Sequence, residues 1–337
     1  MRTASIFPRL LLLPLLLPAA AAIAAAGDPP TARQSFSVLV ENDKWFGTDR
    51  YYTNGLSLAW SESHAPSHWL LRLADRIGYR RTIRVQTHGF ELAQLMSTPA
   101  NTQLIAPQPA DRPWAGLLYL GPTLQLDAGR RLDILKLYVG VTGSWSLADR
   151  TQAQWHRLIG VKTPKGWANQ LPAEPQLNLI LERRWRTDLT DPADFWNIDT
   201  VTRVGMHLGT IADKLEAGLM LRAGCRIPRD YGAPLIGTSG NLPPPRDTGQ
   251  NAGRGLGAHA FVGLGGSAVA RDVFLDGTLF HDSPRVSREN FTTLFSWGFA
   301  VTSGRFRAAW TNLDRSREFS GQLSNQKYSS ISLAVFW

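Results

Sequence analysis

The end of the chain carries the feature that most limits what it can fold into. Ile331, Leu333, Val335 and Trp337 interleave with Ser330, Ser332, Ala334 and Phe336, and the sequence stops on an aromatic residue. Successive side chains of a strand point to opposite faces, so this alternation describes a strand with one lipid-compatible face and one interior face. Leu56, Leu58 and Trp60, alternating with Gly55, Ser57 and Ala59, repeat the pattern far away in sequence. After Gly27 no uninterrupted apolar run approaches the roughly 18 residues that a spanning helix requires. Aromatic residues are abundant (Trp 12, Phe 14, Tyr 7), Gly 30 is generous, and long amphipathic helical stretches are scarce. The expected fold is all-β: a closed antiparallel transmembrane β-barrel.

The N-terminus points to export. Arg2 and Arg9 form a basic start, Leu10 to Ala22 is apolar apart from Pro14 and Pro18, and Ala24-Ala25-Ala26 offers small residues for cleavage. That is the layout of a secretory signal peptide over 1–26, leaving 27–337 as the barrel. Removing Arg2 and Arg9 lowers the formal charge from +9 to +7. A basic exported protein suits an anionic partner such as phosphorylated lipopolysaccharide. Nucleic acid is a poor match, because no basic helix or recognition motif is present. Cys225 is the only cysteine, so no internal disulfide can form.

Strands are predicted near 33–41, 53–62, 84–95, 112–126, 132–143, 175–187, 197–208, 214–226, 256–279, 290–301, 305–315 and 328–337, twelve in all with a long ninth. An even count places both chain ends in the periplasm and the connections after odd-numbered strands outside the cell. The first three outer connections, 42–52, 96–111 and 144–174, hold nearly every polar cluster. The Pro- and Gly-rich stretch 227–255 falls on the inner side, where turns are normally short, and nothing in the sequence explains its length.

Three places could carry chemistry. Asn42-Asp43 leaves the first strand, and Thr53 enters the second across the turn. Such residues build ordinary hairpin loops, but they also supply the hard oxygen ligands that suit Ca²⁺. Thr151 to Gly160 reads as a short helix in an extracellular loop, with Gln152 and His156 one turn apart on a shared face. A lone loop histidine is usually a solvated residue, yet a neutral imidazole is also the commonest general base. Glu174, where the sixth strand begins, can ligate metal, orient a partner or form a salt bridge. Arg112 can pair with Asp111 or, with Lys162 and Lys165, meet lipid phosphate. No Gly-x-Ser-x-Gly elbow is present.

Together these stretches resemble the outer-membrane lipid A 3′-O-deacylases. The likeness rests on Glu41-Asn42-Asp43 followed by Thr48-Asp49-Arg50-Tyr51-Tyr52-Thr53-Asn54-Gly55, on Asp111 to Pro122, on Gln152 and His156 with Gly160 after them, and on the Gly166-Trp167 to Pro175 stretch. It covers most of the chain after the leader. The resemblance implies a twelve-stranded barrel with its site at the outer rim, assembled by the barrel assembly machinery and dependent on Ca²⁺. The implied reaction is hydrolysis of the ester-linked 3′-acyloxyacyl group of lipid A. Residue by residue it implies catalytic roles for Asn42, Asp43, Thr53, Gln152 and His156. One branch carries an acidic residue six positions after the histidine, where this chain has Lys162, which leaves Glu174 as the substitute metal ligand beside Asn42 and Asp43. The expectation is a Ca²⁺-dependent esterase of the bacterial outer membrane facing the exterior. The alternatives are an outer-membrane phospholipase of the same chemistry and a non-enzymatic pore or scaffold.

Overall fold

The computed structural model describes residues 34–43, 50–64, 83–236 and 255–337, so the expected leader lies outside the described residues. Within them the chain forms twelve strands: β1 (Gln34–Asn42), β2 (Tyr51–His64), β3 (Val85–Thr98), β4 (Ala115–Asp127), β5 (Arg131–Thr142), β6 (Pro175–Asp188), β7 (Trp196–Gly209), β8 (Ala212–Cys225), β9 (Leu256–Asp272), β10 (Phe291–Ser303), β11 (Phe306–Arg315) and β12 (Gln326–Phe336). Each pairs antiparallel with its sequence neighbours, and β1 closes on β12 from Ser35 opposite Phe336 to Asn42 opposite Ser329. Closure leaves no unpaired strand edge, which is what permits a sheet to cross a bilayer. No described helix is long and apolar enough to cross.

The alternation read from the sequence decides which face each residue takes. Ile331 and Leu333 are exposed outward while Ser330 and Ser332 are buried inside; Leu56 and Leu58 are exposed while Ser57 and Ala59 are buried. The lumen is filled with polar and charged side chains, among them Glu91, Lys136, Arg184, Asp199 and Arg222. Gln34 and Trp337 sit at one end of the barrel, here termed the termini rim, with the connections after even-numbered strands. The opposite loop rim carries the connections after odd-numbered strands.

The ninth strand is shorter than predicted. It stops at Asp272, whose side chain accepts a hydrogen bond from the Phe274 amide and caps a one-turn helix, α2 (Val273–Asp276). Gly277, at φ 79°, then turns the chain away. The remainder of the predicted strand lies across the loop rim, where Leu275 packs with Tyr51 and Phe319. The fourth strand likewise begins at Ala115 rather than at residue 112.

The stretch after β8 has a structural account that its composition did not supply. Instead of turning outside the barrel, residues 230–236 enter the lumen, where Asp230, Tyr231, Ala233, Leu235 and Ile236 are buried. Near the termini rim the Tyr231 hydroxyl donates to Asp127 (2.7 Å), and Asp230 pairs with both Arg222 and Arg307. Burial alone would raise the Asp230 carboxyl, but the charges of Arg307 and Arg222 outweigh it and hold the group below its usual range. Further along, the Ile236 amide donates to Glu41 Oε1 (3.0 Å), one residue from the loop-rim end of β1. Ile236 packs in a cluster with Leu39, Leu95 and Tyr119. The segment thus runs through much of the lumen and fastens β8, β11, β4 and β1 together.

Candidate active site

Several candidate residues lie on the outside of the wall, near the loop rim. A 3-10 turn, Gly143–Ser146, and the helix α1 (Ala148–Leu158) follow β5. Gly116 lets them lie flat on β4: a Cβ there would stand 2.2 Å from Ser146 Oγ and 2.4 Å from Ala148 Cβ. Gln94, at an outward position of β3, donates to the Ser146 carbonyl (2.6 Å). Met96, next on that outward row, packs with Trp114, Ala148 and Trp167. The helix therefore buries one face against the wall, and that face carries Gln152 and His156, exposed by only 3% and 4%.

How α1 ends determines the state of the histidine. Gly160 adopts φ 70°, and the Val161 amide returns to the His156 carbonyl (2.9 Å) while the Gly160 amide reaches the Arg157 carbonyl (3.3 Å). This closing turn satisfies the last carbonyls and brings Lys162 back over the helix. The His156 Nδ1 hydrogen donates to the Lys162 carbonyl at 2.7 Å. A carbonyl only accepts, so Nδ1 carries the proton in the neutral ring and Nε2 carries the lone pair. Lys162 thus orients the histidine through its backbone, whatever its exposed side chain does. Gln152 is fixed one turn earlier: its Oε1 accepts from Trp167 Nε1 (2.7 Å), while its buried Nε2 has no hydrogen-bond partner among the described residues.

The β1–β2 corner meets the same surface through a bulge. The pairing of β2 with β3 skips a residue between Tyr52 and Asn54, making Thr53 the extra residue. Tyr52 is turned into the lumen, where its hydroxyl donates to Glu41 Oε2 (2.6 Å). Thr53 Oγ1 instead meets Thr98 Oγ1 (2.8 Å), the residue after Met96 on the outward row of β3. Bulges that re-aim one side chain are frequent beside active sites. Tyr51 starts the turn at φ 66°, a conformation that costs energy outside glycine; its ring, edge-on to Phe319 at 5.6 Å, holds it there. Asn42 ends β1 on the outward parity of Phe36 and Val38. Asp43 follows, buried, and its Oδ2 accepts the Arg50 amide (2.8 Å).

Not every expected residue joins this group. Both oxygens of Glu174 are engaged by the β9–β10 connection, with the Leu279 amide at 2.9 Å, the Phe280 amide at 3.2 Å and His281 Nδ1 at 3.0 Å. Burial would raise this carboxyl, but the hydrogen bonds from His281 and the two amides prevail and hold it below its usual range. Glu174 therefore fastens the β9–β10 connection to the start of β6. Arg112 is also occupied. Its Nη1 lies 2.6 Å from Glu318 Oε2, a buried pair distant in sequence, rather than beside Asp111. Burial opposes the Glu318 charge, yet Arg112 and Arg315 hold this carboxyl down at about 2. Lys162 and Lys165 are exposed beside α1. Sequence reasoning missed Thr98 and the supporting pair Trp114 and Trp167, whose ring centroids are 5.1 Å apart. The two tryptophans stood inside the recognised motifs; Thr98 could be found only through the register.

The fold is a closed twelve-stranded antiparallel barrel with the helix after β5 packed on its outward face. The family model of outer membrane protein LpxR matches residues 10–337, and the chain belongs to that family of outer-membrane barrels. LpxR from Salmonella typhimurium has the same fold, with a TM-score of 0.73 at 18% identity over 90% of this chain and 100% of that one. The β-domain of the Bordetella autotransporter BrkA aligns with a TM-score of 0.45 at 10% identity over 91% and 99%. For the KdgM porin the values are 0.35, 6%, 90% and 99%. No curated protein sequence matches the chain.

Proposed function

We infer that the protein is a Ca²⁺-assisted esterase that removes the 3′-linked acyloxyacyl group from lipid A in the outer leaflet. The observation that carries this reading is a histidine with its lone pair on Nε2, buried between a helix and the outward face of a membrane barrel. An ester whose acyl chains lie in the bilayer reaches such a position without leaving the lipid. The resemblance of its motifs to the lipid A 3′-O-deacylases, and membership of the LpxR family, support lipid A as the substrate class. A pore is disfavoured because the lumen is crossed by buried residues 230–236.

The chemistry follows from the groups in place. His156 Nε2 takes a proton from water as the oxygen attacks the ester carbonyl, and the Lys162 carbonyl steadies the imidazolium through Nδ1. The tetrahedral oxyanion then collapses, the bond to the sugar oxygen breaks, and the imidazolium returns its proton to that leaving oxygen. The unpaired Gln152 Nε2 hydrogens can orient the water or meet the oxyanion, with the Thr53 hydroxyl contributing from the bulge. Asn42 and Asp43, hard oxygen donors at the end of β1, fit a calcium ion. Bound there, calcium would supply Lewis-acid polarisation of the carbonyl. In this reading the exposed Lys162 and Lys165 meet lipid A phosphate.

Mass spectrometry of lipid A from cells with and without the protein tests the reading. Loss of one 3′-acyloxyacyl group, dependent on Ca²⁺ in detergent, is expected. Unaltered lipid A alongside cleaved glycerophospholipid would move the substrate to phospholipid, and no hydrolysis of either would overturn the enzyme.

A further inference from the structure

A second cluster lies on the outward face at the opposite rim. Glu62 and His64 close β2, and His88 lies beside them near the start of β3. Glu62 stands directly opposite His88, just beyond the pair Trp60 and Phe90. The cluster therefore begins where the exposed apolar residues Leu58, Leu92 and Phe90 give way to polar ones, at the interface zone of the termini rim. His64 Nε2 is 3.4 Å from His88 Nε2 and 3.8 Å from Glu62 Oε2, and the two imidazoles stack with centroids 4.6 Å apart. One ligand atom from each of the three residues falls within 4.8 Å of the others.

We propose that Glu62, His64 and His88 bind a divalent transition-metal ion of the Zn²⁺ type. A tetrahedral ion with bonds of 2.0–2.1 Å holds neighbouring ligand atoms about 3.3 Å apart. The two imidazole nitrogens already have that spacing, and the Glu62 carboxylate, 3.8 Å from His64 and within 4.8 Å of His88, closes on the ion by a side-chain rotation. His64 is exposed, so water completes the coordination. Two nitrogen ligands favour Zn²⁺, Ni²⁺ or Cu²⁺ over Ca²⁺ and Mg²⁺, which prefer oxygen. The site is thus chemically separate from the oxygen donors of the loop rim. Because its ligands come from both strands, the ion cross-links β2 to β3 at the open end of their pairing, and binding to the folded state alone stabilises the barrel.

The test uses the whole barrel purified in detergent, stripped with a chelator and titrated calorimetrically with Zn²⁺; Cu²⁺ serves as a paramagnetic probe. One equivalent of Zn²⁺ is expected to bind, with His64→Ala and His88→Ala each weakening it at least tenfold and Glu62→Gln weakening it less. The Cu²⁺ spectrum should show two coordinated nitrogens in the parent protein and one in either alanine variant. The unfolding temperature should rise with Zn²⁺ only when both histidines are present. Any variant that fails to show a heat-modifiable barrel is replaced by its asparagine counterpart. Zn²⁺ affinity and nitrogen count unchanged in both histidine variants, or no binding by the parent protein, would overturn the site. Ca²⁺-dependent hydrolysis, followed in parallel, should be the same in all three variants, so neither result bears on the esterase reading.

Discussion

The two faces of the wall at the β1–β2 corner make opposite uses of the same short stretch of chain. Glu41 points into the lumen and takes hydrogen bonds from Tyr52 and the Ile236 amide, while Asn42, the next residue, faces out. Tyr52 is turned inward, and Thr53 meets Thr98 outside. Inside, buried charges are paired: Arg222 with Asp199 and Asp230, Arg307 with Asp230, Arg203 with Glu216. Outside, under α1, Gln152 Nε2 is left without a partner among the described residues and the histidine presents a lone pair. The lumenal ion pairs tie strand to strand, whereas the outward flank carries the residues proposed to meet a reactant. Variants should divide the same way, with outward changes altering rate and inward changes altering stability.

The largest separation is expected at His156. Loss of a positioned general base typically costs about 10²–10⁴ in rate, so His156→Ala should give a heat-modifiable barrel that scarcely deacylates lipid A. Asp43→Ala should resemble it but recover in part at high Ca²⁺, whereas the histidine defect should not. A Ca²⁺ titration of both purified variants checks this, and near-normal turnover by His156→Ala would remove it as the base. On the other face, Asp230→Ala strips Arg222 and Arg307 of a buried partner. Leaving such charges unpaired costs about 3–5 kcal/mol, which urea unfolding in detergent should register while the folded fraction hydrolyses substrate normally. Equal losses of rate in both variants would erase the contrast.

A third pair tests the lipid boundary itself. Leu333 faces out and Ser332 faces in. Leu333→Arg should destabilise by about 2–4 kcal/mol near the bilayer midplane. Ser332→Arg, set against polar lumenal neighbours, should be limited by space and respond little to bilayer thickness. Unfolding in lipids of two chain lengths distinguishes them.

The outward face was legible in the sequence to a degree that the lumen was not. Period-two alternation fixes facing directly, so all twelve strands were visible from the pattern. Hairpin chemistry and helix spacing likewise placed Asn42, Asp43, Thr53, Gln152 and His156 near one rim. The partners of Glu174 and Arg112 were not legible, because a charged residue at a strand end looks the same whether it meets a ligand or a loop; only the fold brings Leu279 and Glu318 to them. The 227–255 stretch was opaque for a related reason. Its anchor residues, Asp230 and Tyr231, gain meaning only beside Arg222, Arg307 and Asp127, which other strands supply. Thr98 escaped notice because a one-residue bulge, invisible to alternation, decides where Thr53 points.

The smallest effect is expected at Trp167, and it asks how firmly the site depends on its support. Trp167 touches the proposed chemistry only through Gln152, whose Oε1 accepts the indole N–H at 2.7 Å. Trp167→Phe keeps an aromatic ring against Trp114 and removes that donor. One lost hydrogen bond of this kind costs about 1 kcal/mol in stability, less than either charge substitution. If Gln152 is positioned for water or oxyanion, the same change should lower kcat by about tenfold or less and leave KM and the Ca²⁺ requirement in place. A purely structural contact would shift unfolding without touching kcat. A loss as deep as that of His156→Ala would mean that Gln152 is indispensable to the chemical step, and the division of labour under α1 would then have to be redrawn around it.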